Sequence, residues 1–503
     1  MNTQKSTIKF VIKYGIMLLT AFIFVFYASA TTSPFIDFKR IDSYMFLIMG
    51  RGWSKGLIPY VDLFDQKGPA IFFINMLGFW LTGNKYGVFL LQILFMFASE
   101  CLIYFMFRRV YSDKIALAMA SLGIFTFLWN YENGNMNEEY ANPFLIASFL
   151  CLTKWLDEKD NDKIDHNPWY AFVYGITFGF CLMSRVTNAI GVCMAILLIL
   201  IYLIYNKRFI NIFHNAVAFI LGALCIVTPF ALYFAVKGAT YDFWYGTILF
   251  NLHYATQGKT GLVMLLKSAI GQIGSYALMA IGIMHIARKK YFDGVLFSSI
   301  GIVTELLMLN IKNYKHYYMI IFPYLPVAFY ELKKIMDDKD ISINKAGNVI
   351  RKLALVVLIG LSLITVARTG KEVLEINKLY DEYPSSIEAQ QYAQEISFTS
   401  QIPEEERTSV LCYGLMPGVY FDLNIDPPCK YFVLQEWMGK FTNDFAGKVV
   451  EEVEDKKPEY IVCNYSEGMI IEKIINESYR VIANENIVRD KNEGKLVLYK
   501  RNH

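Results

Sequence analysis

Runs of about 17 to 25 apolar residues recur along most of the chain, each long enough to cross a bilayer as a helix. A chain built this way folds in lipid, as an all-α polytopic membrane protein. Composition agrees: of 503 residues 55% are hydrophobic, 16% aromatic and only 18% charged, where an ordinary soluble chain carries about 25% charged residues. A net charge of +3 is too small to indicate nucleic acid as a partner. Cys101, Cys151, Cys181, Cys193 and Cys225 lie in apolar runs and read as small core residues. Cys412, Cys429 and Cys463 match no metal spacing, and no disulfide is inferred from them.

Lys5, Lys9 and Lys13 precede the first run, Tyr14 to Ala30. Ala28-Ser29-Ala30 resembles a signal-peptide cleavage site, but an uncleaved first span suits so hydrophobic a protein. Either way the chain after Ala30 lies outside the cytoplasm. Further runs cover 86–107, 115–131, 141–156, 169–184, 188–205, 215–236, 261–287, 292–310, 317–332 and 353–367, which makes about eleven spans by length.

Basic residues favour the cytoplasmic side. Arg108-Arg109, Lys154/Lys159/Lys163, Lys207-Arg208, Arg288-Lys289-Lys290, Lys333-Lys334 and Arg351-Lys352 share one side only if residues 69–82 do not cross. About fourteen residues are also too few to span. We therefore expect a juxtamembrane helix over 69–82 within one outer loop, 31–85, on a transmembrane domain of residues 1–368. The remainder, 369–503, is expected to form a small extracytoplasmic α/β domain. In it "YIVCNY", "TSVLCYG", "KYFVL" and "KLVLYK" read as strands, and "SSIEAQQYAQEI" and "GMIIEKIINESY" as helices.

The outer loop breaks the charge rule with Lys39, Arg40, Arg51, Lys55 and Lys67. A long loop can escape that rule; an anionic ligand is the functional alternative. Pro69 suits a first helical position, Gly68 allows close approach to the backbone, and the N–H groups of a helix start attract an anion. Lys67 adds a full charge there. On the same side lie "GNMNEEYANP" (134–143), the tight "SRVTN" link with Arg185, and "NIKNYKHYYMIIFP" with Lys315 and His316. Glu305 sits in the outer half of its span. Ionisable residues at such depths are costly and often functional, although a lone Arg or His at a span end more often snorkels.

The string "IDSYMFLIMGRGWSKGLIPYVDLFDQKGP" (41–69), with "NMNEEYANPF", "SRVTN" and "KHYYMIIFP", resembles the membrane-embedded GT-C glycosyltransferases, in the bacterial branch related to protein mannosyltransferases and lipid A aminoarabinose transferases. The resemblance runs to about residue 330. It implies transfer of a sugar from a polyprenyl-phosphate carrier to a lipid, glycan or protein acceptor at the outer face of the plasma membrane. By position, Asp42 takes the place of the family's catalytic acid. Where many relatives have Asp-Glu, this chain has Asp42-Ser43, which weakens any divalent-metal site held by paired acids; no cofactor is implied with certainty. Gln66-Lys67 takes the place of a polar residue and a phosphate-binding lysine. Glu138 or Glu139 matches an acid that faces the cavity. Arg185 and His316 match positions near the carrier phosphate, and Asp65 and Tyr317 join Gln66 among the implied substrate-binding residues.

The chemistry suits these residues: Asp42 as base for the acceptor hydroxyl, and Lys67, Arg185 and a helix start for charge on the leaving phosphate. One base without a covalent intermediate implies inversion. A retaining scheme needs a second acid, for which Asp65 or Asp37 remain open; Asp37 is also the alternative base. A transporter or flippase is the rival from another class, but it would more often show related halves and broken mid-membrane helices. No repeat is evident. A ligase or polymerase of lipid-linked glycans is a second rival, differing in donor.

Overall fold

The structure, a computed structural model, describes residues 2–254, 272–312, 314–338, 345–440, 443–487 and 494–502. The start of the run expected over 261–287 lies outside them. Among the described residues six helices are long and apolar enough to cross a membrane: Thr7–Ala28, Tyr86–Phe107, Val186–Tyr205, Phe209–Val236, Tyr291–Asn310 and Gly347–Ser385. Pro69–Thr82, Pro168–Leu182 and Ile273–Ala287 are shorter apolar helices. Phe209–Val236 turns Phe213, Val217, Leu221, Leu224 and Leu232 outward. With so long an apolar face turned outward, it requires lipid against that face.

The chain forms two compact units, each assembled from separated stretches. The first takes in Met1–Ser29, Leu91–Phe230 and Gly258–Glu375. It contains α1 (Asn2–Ala28), then, after α2 and α3 below, most of α4 (Tyr86–Phe107), α5 (Asp113–Gly123), α6 (Asn137–Asp160), α7 (Pro168–Leu182), α8 (Ile190–Tyr205) and most of α9 (Phe209–Val236). Two expected spans are interrupted. The run 115–131 is α5 followed by a 3-10 turn, Ile124–Trp129. The run 317–332 is a 3-10 turn, Lys315–Ile321, then the helix Tyr324–Asp337. Pro323 lies at the break and Pro326 in the next turn. Proline has no N–H to continue the ladder behind it, so the break falls where the sequence removes two donors.

The second unit takes in Ala30–Leu90, Ala231–Gln257 and Ile376–His503. Here α2 (Ile41–Ser54) packs on α3 (Pro69–Thr82). A Cβ at Gly50 would collide with the Cβ and backbone of Asn75, so glycine permits the close approach. A four-stranded sheet follows: β1 (Val410–Tyr413), β2 (Tyr460–Tyr465), β3 (Tyr479–Ile487) and β4 (Gly494–Arg501), in the order β1-β2-β4-β3. β1 and β2 are parallel and the other pairs antiparallel. The sheet core of Leu411, Ile461, Cys463 and Val497 receives Phe445 and Val449 from the helix Asn443–Lys456. It also receives Phe64 from the outer loop, a burial worth about 1.5–3 kcal/mol.

Candidate functional site

In the second unit, the stretch before α3 is tied by its own carboxylates. Asp62 Oδ2 accepts from Ile58 N at 2.6 Å, and Asp65 Oδ1 accepts from Lys67 N at 3.1 Å. Tyr60 takes a left-handed φ of 69°, uncommon for a bulky residue. Its hydroxyl donates to the Lys67 carbonyl at 2.7 Å, and Asn251 Nδ2 donates to the Gln66 carbonyl at 2.6 Å. The chain thus enters α3 at a fixed angle. Gly68 is the N-cap and makes no side-chain cap bond, and Pro69 follows at the first turn. The helix start keeps its unclaimed N–H groups and positive dipole end, with the half-buried Lys67 adjoining.

Asp42 stands in the first turn of α2, half-buried. Its carboxylate makes no hydrogen bond or ion pair among the described residues. Asp65 is wholly buried. Burial pushes its carboxyl up, Lys67 pulls it down and the charge of Asp42 pushes it up again, to about 6. Because this value exceeds the ordinary 3.8, the folded state holds the Asp65 proton to higher pH than the unfolded chain. The resulting stability is full below about pH 4 and is lost as pH rises through about 6. Asp65→Asn keeps an acceptor for Lys67 N without a buried charge. Its melting temperature relative to the parent is expected to rise between pH 4 and pH 7; a constant difference would mean that Asp65 titrates as an exposed acid.

Asp37, the alternative base, is engaged. Its Oδ2 lies 2.6 Å from Lys39 Nζ and 2.7 Å from Lys85 Nζ, and Tyr44 donates to Oδ1 at 2.6 Å. Burial would raise its carboxyl, but the two ammonium groups outweigh that and hold it below the usual range. Lys39 also pairs with Asp422 at 2.8 Å. Arg40 pairs with Glu388 and Lys55 with Asp426. Arg51 donates to the carbonyls of Tyr420 and Ile425. Lys39, Arg40, Arg51 and Lys55 are therefore answered by the C-terminal segment rather than standing ready for a ligand.

The first unit gathers another cluster from three stretches. Arg185, at the head of the 3-10 turn Val186–Ala189, reaches Glu138 Oε1 at 2.8 Å. Its guanidinium lies 3.2 Å from the ring centroid of Tyr317. His316 packs edge-on against Tyr317, with 4.6 Å between ring centroids. His316 Nδ1 lies 2.5 Å from Glu132 Oε2. Glu138 and Glu139 part company: Glu139 accepts from Tyr131 at 2.6 Å, Gln92 at 3.0 Å and the Asn135 N–H at 2.8 Å. Glu138 is the acid beside Arg185. The structure thus brings Arg185, Glu138, Tyr317 and His316 together in one unit, and Asp42, Asp65, Gln66 and Lys67 in the other.

Sequence reasoning missed Glu132, although "NYENGN" adjoins the polar link that it singled out. It also missed Lys85 and Asp422, whose partners are too distant along the chain to leave a local signal. Among the described residues no group of three or more His, Cys, Asp or Glu is placed to hold a metal ion.

Residues 2–357 match the family described as the putative competence-induced protein Ccs4 N-terminal domain. No curated protein matches the sequence. In fold the chain is similar to the crystal structure of ArnT from Cupriavidus metallidurans bound to undecaprenyl phosphate, with a TM-score of 0.58, 12% identity, and 97% of this chain and 98% of that one covered. The apo state of the same protein gives a TM-score of 0.55 at 12% identity, covering 98% of each chain. The GT-C fold expected from the sequence, many apolar helices with a small C-terminal sheet, is the fold observed.

Proposed function

The chain belongs to the Ccs4 N-terminal-domain family and has the GT-C fold, and from that premise we propose that it is a membrane glycosyltransferase acting on a polyprenyl-phosphate-linked sugar. The acceptor is a lipid, glycan or protein at the outer face of the membrane. The observation that carries the reading is the end-to-end likeness to a protein crystallised with undecaprenyl phosphate.

In this reading Asp42 removes the proton from the acceptor hydroxyl. A carboxylate with no other bond has its lone pairs available, whereas those of Asp37 are spent on two ammonium groups and a phenol. Lys67 and the start of α3 hold the carrier phosphate, combining a point charge with backbone donors. Arg185 and His316 also serve the phosphate, and Glu138 and Tyr317 hold the guanidinium in place. Asp65 and Gln66 act from beneath, Asp65 by fixing the Lys67 backbone. With one base and no covalent intermediate the sugar carbon inverts. The test is to mix the purified protein with a panel of polyprenyl-phosphate sugars and assay release of the carrier. Release from no member of the panel, with acceptor-bearing membranes present, would overturn the reading.

Two expected results belong to this proposal. Lys67→Ala weakens binding of the carrier phosphate about ten- to a hundredfold, since one charge-assisted hydrogen bond is worth about 1.5–3 kcal/mol. Unchanged affinity would leave the α3 start as an ordinary helix cap. Separately, a reporter fused after His503 is expected to behave as exported, because the N-terminal lysines would hold the first span's start inside and the span count expected from the sequence, about eleven, is odd. A cytoplasmic readout would shift that count by one.

A further inference from the structure

A cavity of about 300 Å³ lies within the second unit, at the carboxyl end of β1. Its walls include Ile41, Gln391, Leu415, Val433, Glu436 and Trp437. Loops that follow parallel strands leave a crevice beyond the strand ends, where ligands of α/β sheets bind, and β1 runs parallel to β2. Two carboxylates anchor the walls. Glu395, wholly buried, accepts from Met416 N at 2.8 Å and from Gln391 Nε2 at 3.0 Å. It thereby fixes both the turn over 414–417 and the Gln391 amide. Glu436 Oε1 accepts from the Tyr413 hydroxyl and from Ile470 N at 2.8 Å, which ties the short helix Gln435–Met438 to the sheet. Leu434, just before that helix, takes a left-handed φ of 55°. A bulky residue adopts this conformation only at a cost, and such outliers gather at functional sites.

One oxygen of each anchored side chain stays available. With Nε2 given to Glu395, the Gln391 amide presents Oε1; with Oε1 taken twice, the Glu436 carboxylate presents Oε2. Neither oxygen has a protein partner among the described residues, neither is covered by protein, and both residues line the cavity. Both accept and neither donates, so a ligand must bring the donors. Trp437 is half-buried: part of its indole packs on the sheet core and the rest is exposed. A pyranose meets both demands. Its hydroxyls donate to the two oxygens, and its apolar C–H face covers the indole. A hydrocarbon chain offers no donor. An ammonium group favours a cage of aromatic rings, whereas Ile41, Leu415 and Val433 are aliphatic. The volume, at the small end of the ~300–1,000 Å³ of ligand sites, suits a sugar residue. Ile41 is also the first residue of α2, and Asp42 follows it. Consecutive Cα atoms lie about 3.8 Å apart, so the cavity adjoins the turn that carries Asp42.

We propose that this cavity is an acceptor subsite that seats one neutral sugar residue of a glycan beside the Asp42 turn. Its role as acceptor site rests on the transferase reading; the binding of sugar does not.

The test uses the full chain in amphipol, so that no sugar-headed detergent competes. Saturation-transfer-difference NMR is run with neutral mono- and disaccharides of glucose, galactose, mannose and N-acetylglucosamine. At least one is expected to bind, with saturation strongest on the C–H protons of one ring face. Gln391→Ala and Glu436→Gln should melt with the parent and each weaken binding about two- to tenfold, the equivalent of one hydrogen bond. Trp437→Leu should remove the ring-face saturation. The sugar that binds should also speed carrier release from polyprenyl-phosphate sugars, and Gln391→Ala should raise the concentration it needs by the same factor. No binding by any of the sugars, binding unmoved by both Gln391→Ala and Glu436→Gln, or binding of choline where the sugars fail would overturn the proposal. Sugar binding with no effect on release, in a parent that does release carrier, would overturn the acceptor role. Sugar binding in a protein that releases no carrier would keep the sugar site and overturn the transferase reading instead.

Discussion

Asp42→Asn is expected to lower sugar transfer by about 10²–10⁴-fold, the usual worth of a general base, while carrier-phosphate binding stays near that of the parent. The amide keeps the shape of the carboxylate at the first turn of α2 but cannot take a proton. Because Asp42 makes no hydrogen bond or ion pair among the described residues, its replacement leaves no bonded partner unpaired; the group that feels its charge is Asp65, whose carboxyl should shift down in the variant. Asp37→Asn offers the contrast. It strips the shared carboxylate from Lys39, Lys85 and Tyr44, so its effect belongs to stability first. Turnover of Asp42→Asn at the parental rate would remove Asp42 from the base role.

Arg185→Ala is expected to produce two losses together. The Glu138 side chain, 2% exposed, would remain buried with its counter-charge gone, and breaking such a pair by one partner costs about 3–5 kcal/mol. The lower end applies, because the Arg185 side chain is itself 17% exposed. Carrier-phosphate affinity should fall about ten- to a hundredfold as well. Adding Glu138→Gln separates the effects: the double variant should recover thermal stability, since no buried charge is left alone, while affinity stays low. Recovery of both would assign Arg185 to packing alone.

The parts of the fold that could be read in advance are those specified locally. Gly68-Pro69 starts α3, and Gly83, in the left-handed conformation with φ 73°, stops it. The expected 69–82 is what is observed. "YIVCNY" is β2 residue for residue, because its first four residues are apolar and buried as a central strand's are. The reading failed where partners are remote. Residues 41–54 read as part of the outer loop, yet they form α2; Arg51 within it is only 7% exposed, because carbonyls more than three hundred residues away receive it. "KYFVL" reads as a strand, yet among the described residues no ladder includes it. Leu434 turns left-handed at φ 55°, where the helix Gln435–Met438 begins. β3 leaves no alternation to read, because most of it is exposed and it carries a bulge between Val481 and Ala483.

The tail's hold on the outer loop also has a consequence in time. Residues 37–67 are synthesised early, but Glu388, Asp422, Asp426 and the sheet that receives Phe64 come more than three hundred residues later. At about 5–20 residues per second, the loop waits on the order of 15–70 s for the groups that neutralise it. During that interval Lys39, Arg40, Arg51 and Lys55 lack those partners, and the pocket for Phe64 does not yet exist. The second unit is therefore completed only once the strand Gly494–Arg501 has been made. A ribosome that stalls before residue 388 would leave an inserted set of helices whose earliest loop cannot reach its final form, marking the unfinished chain as a target for quality control.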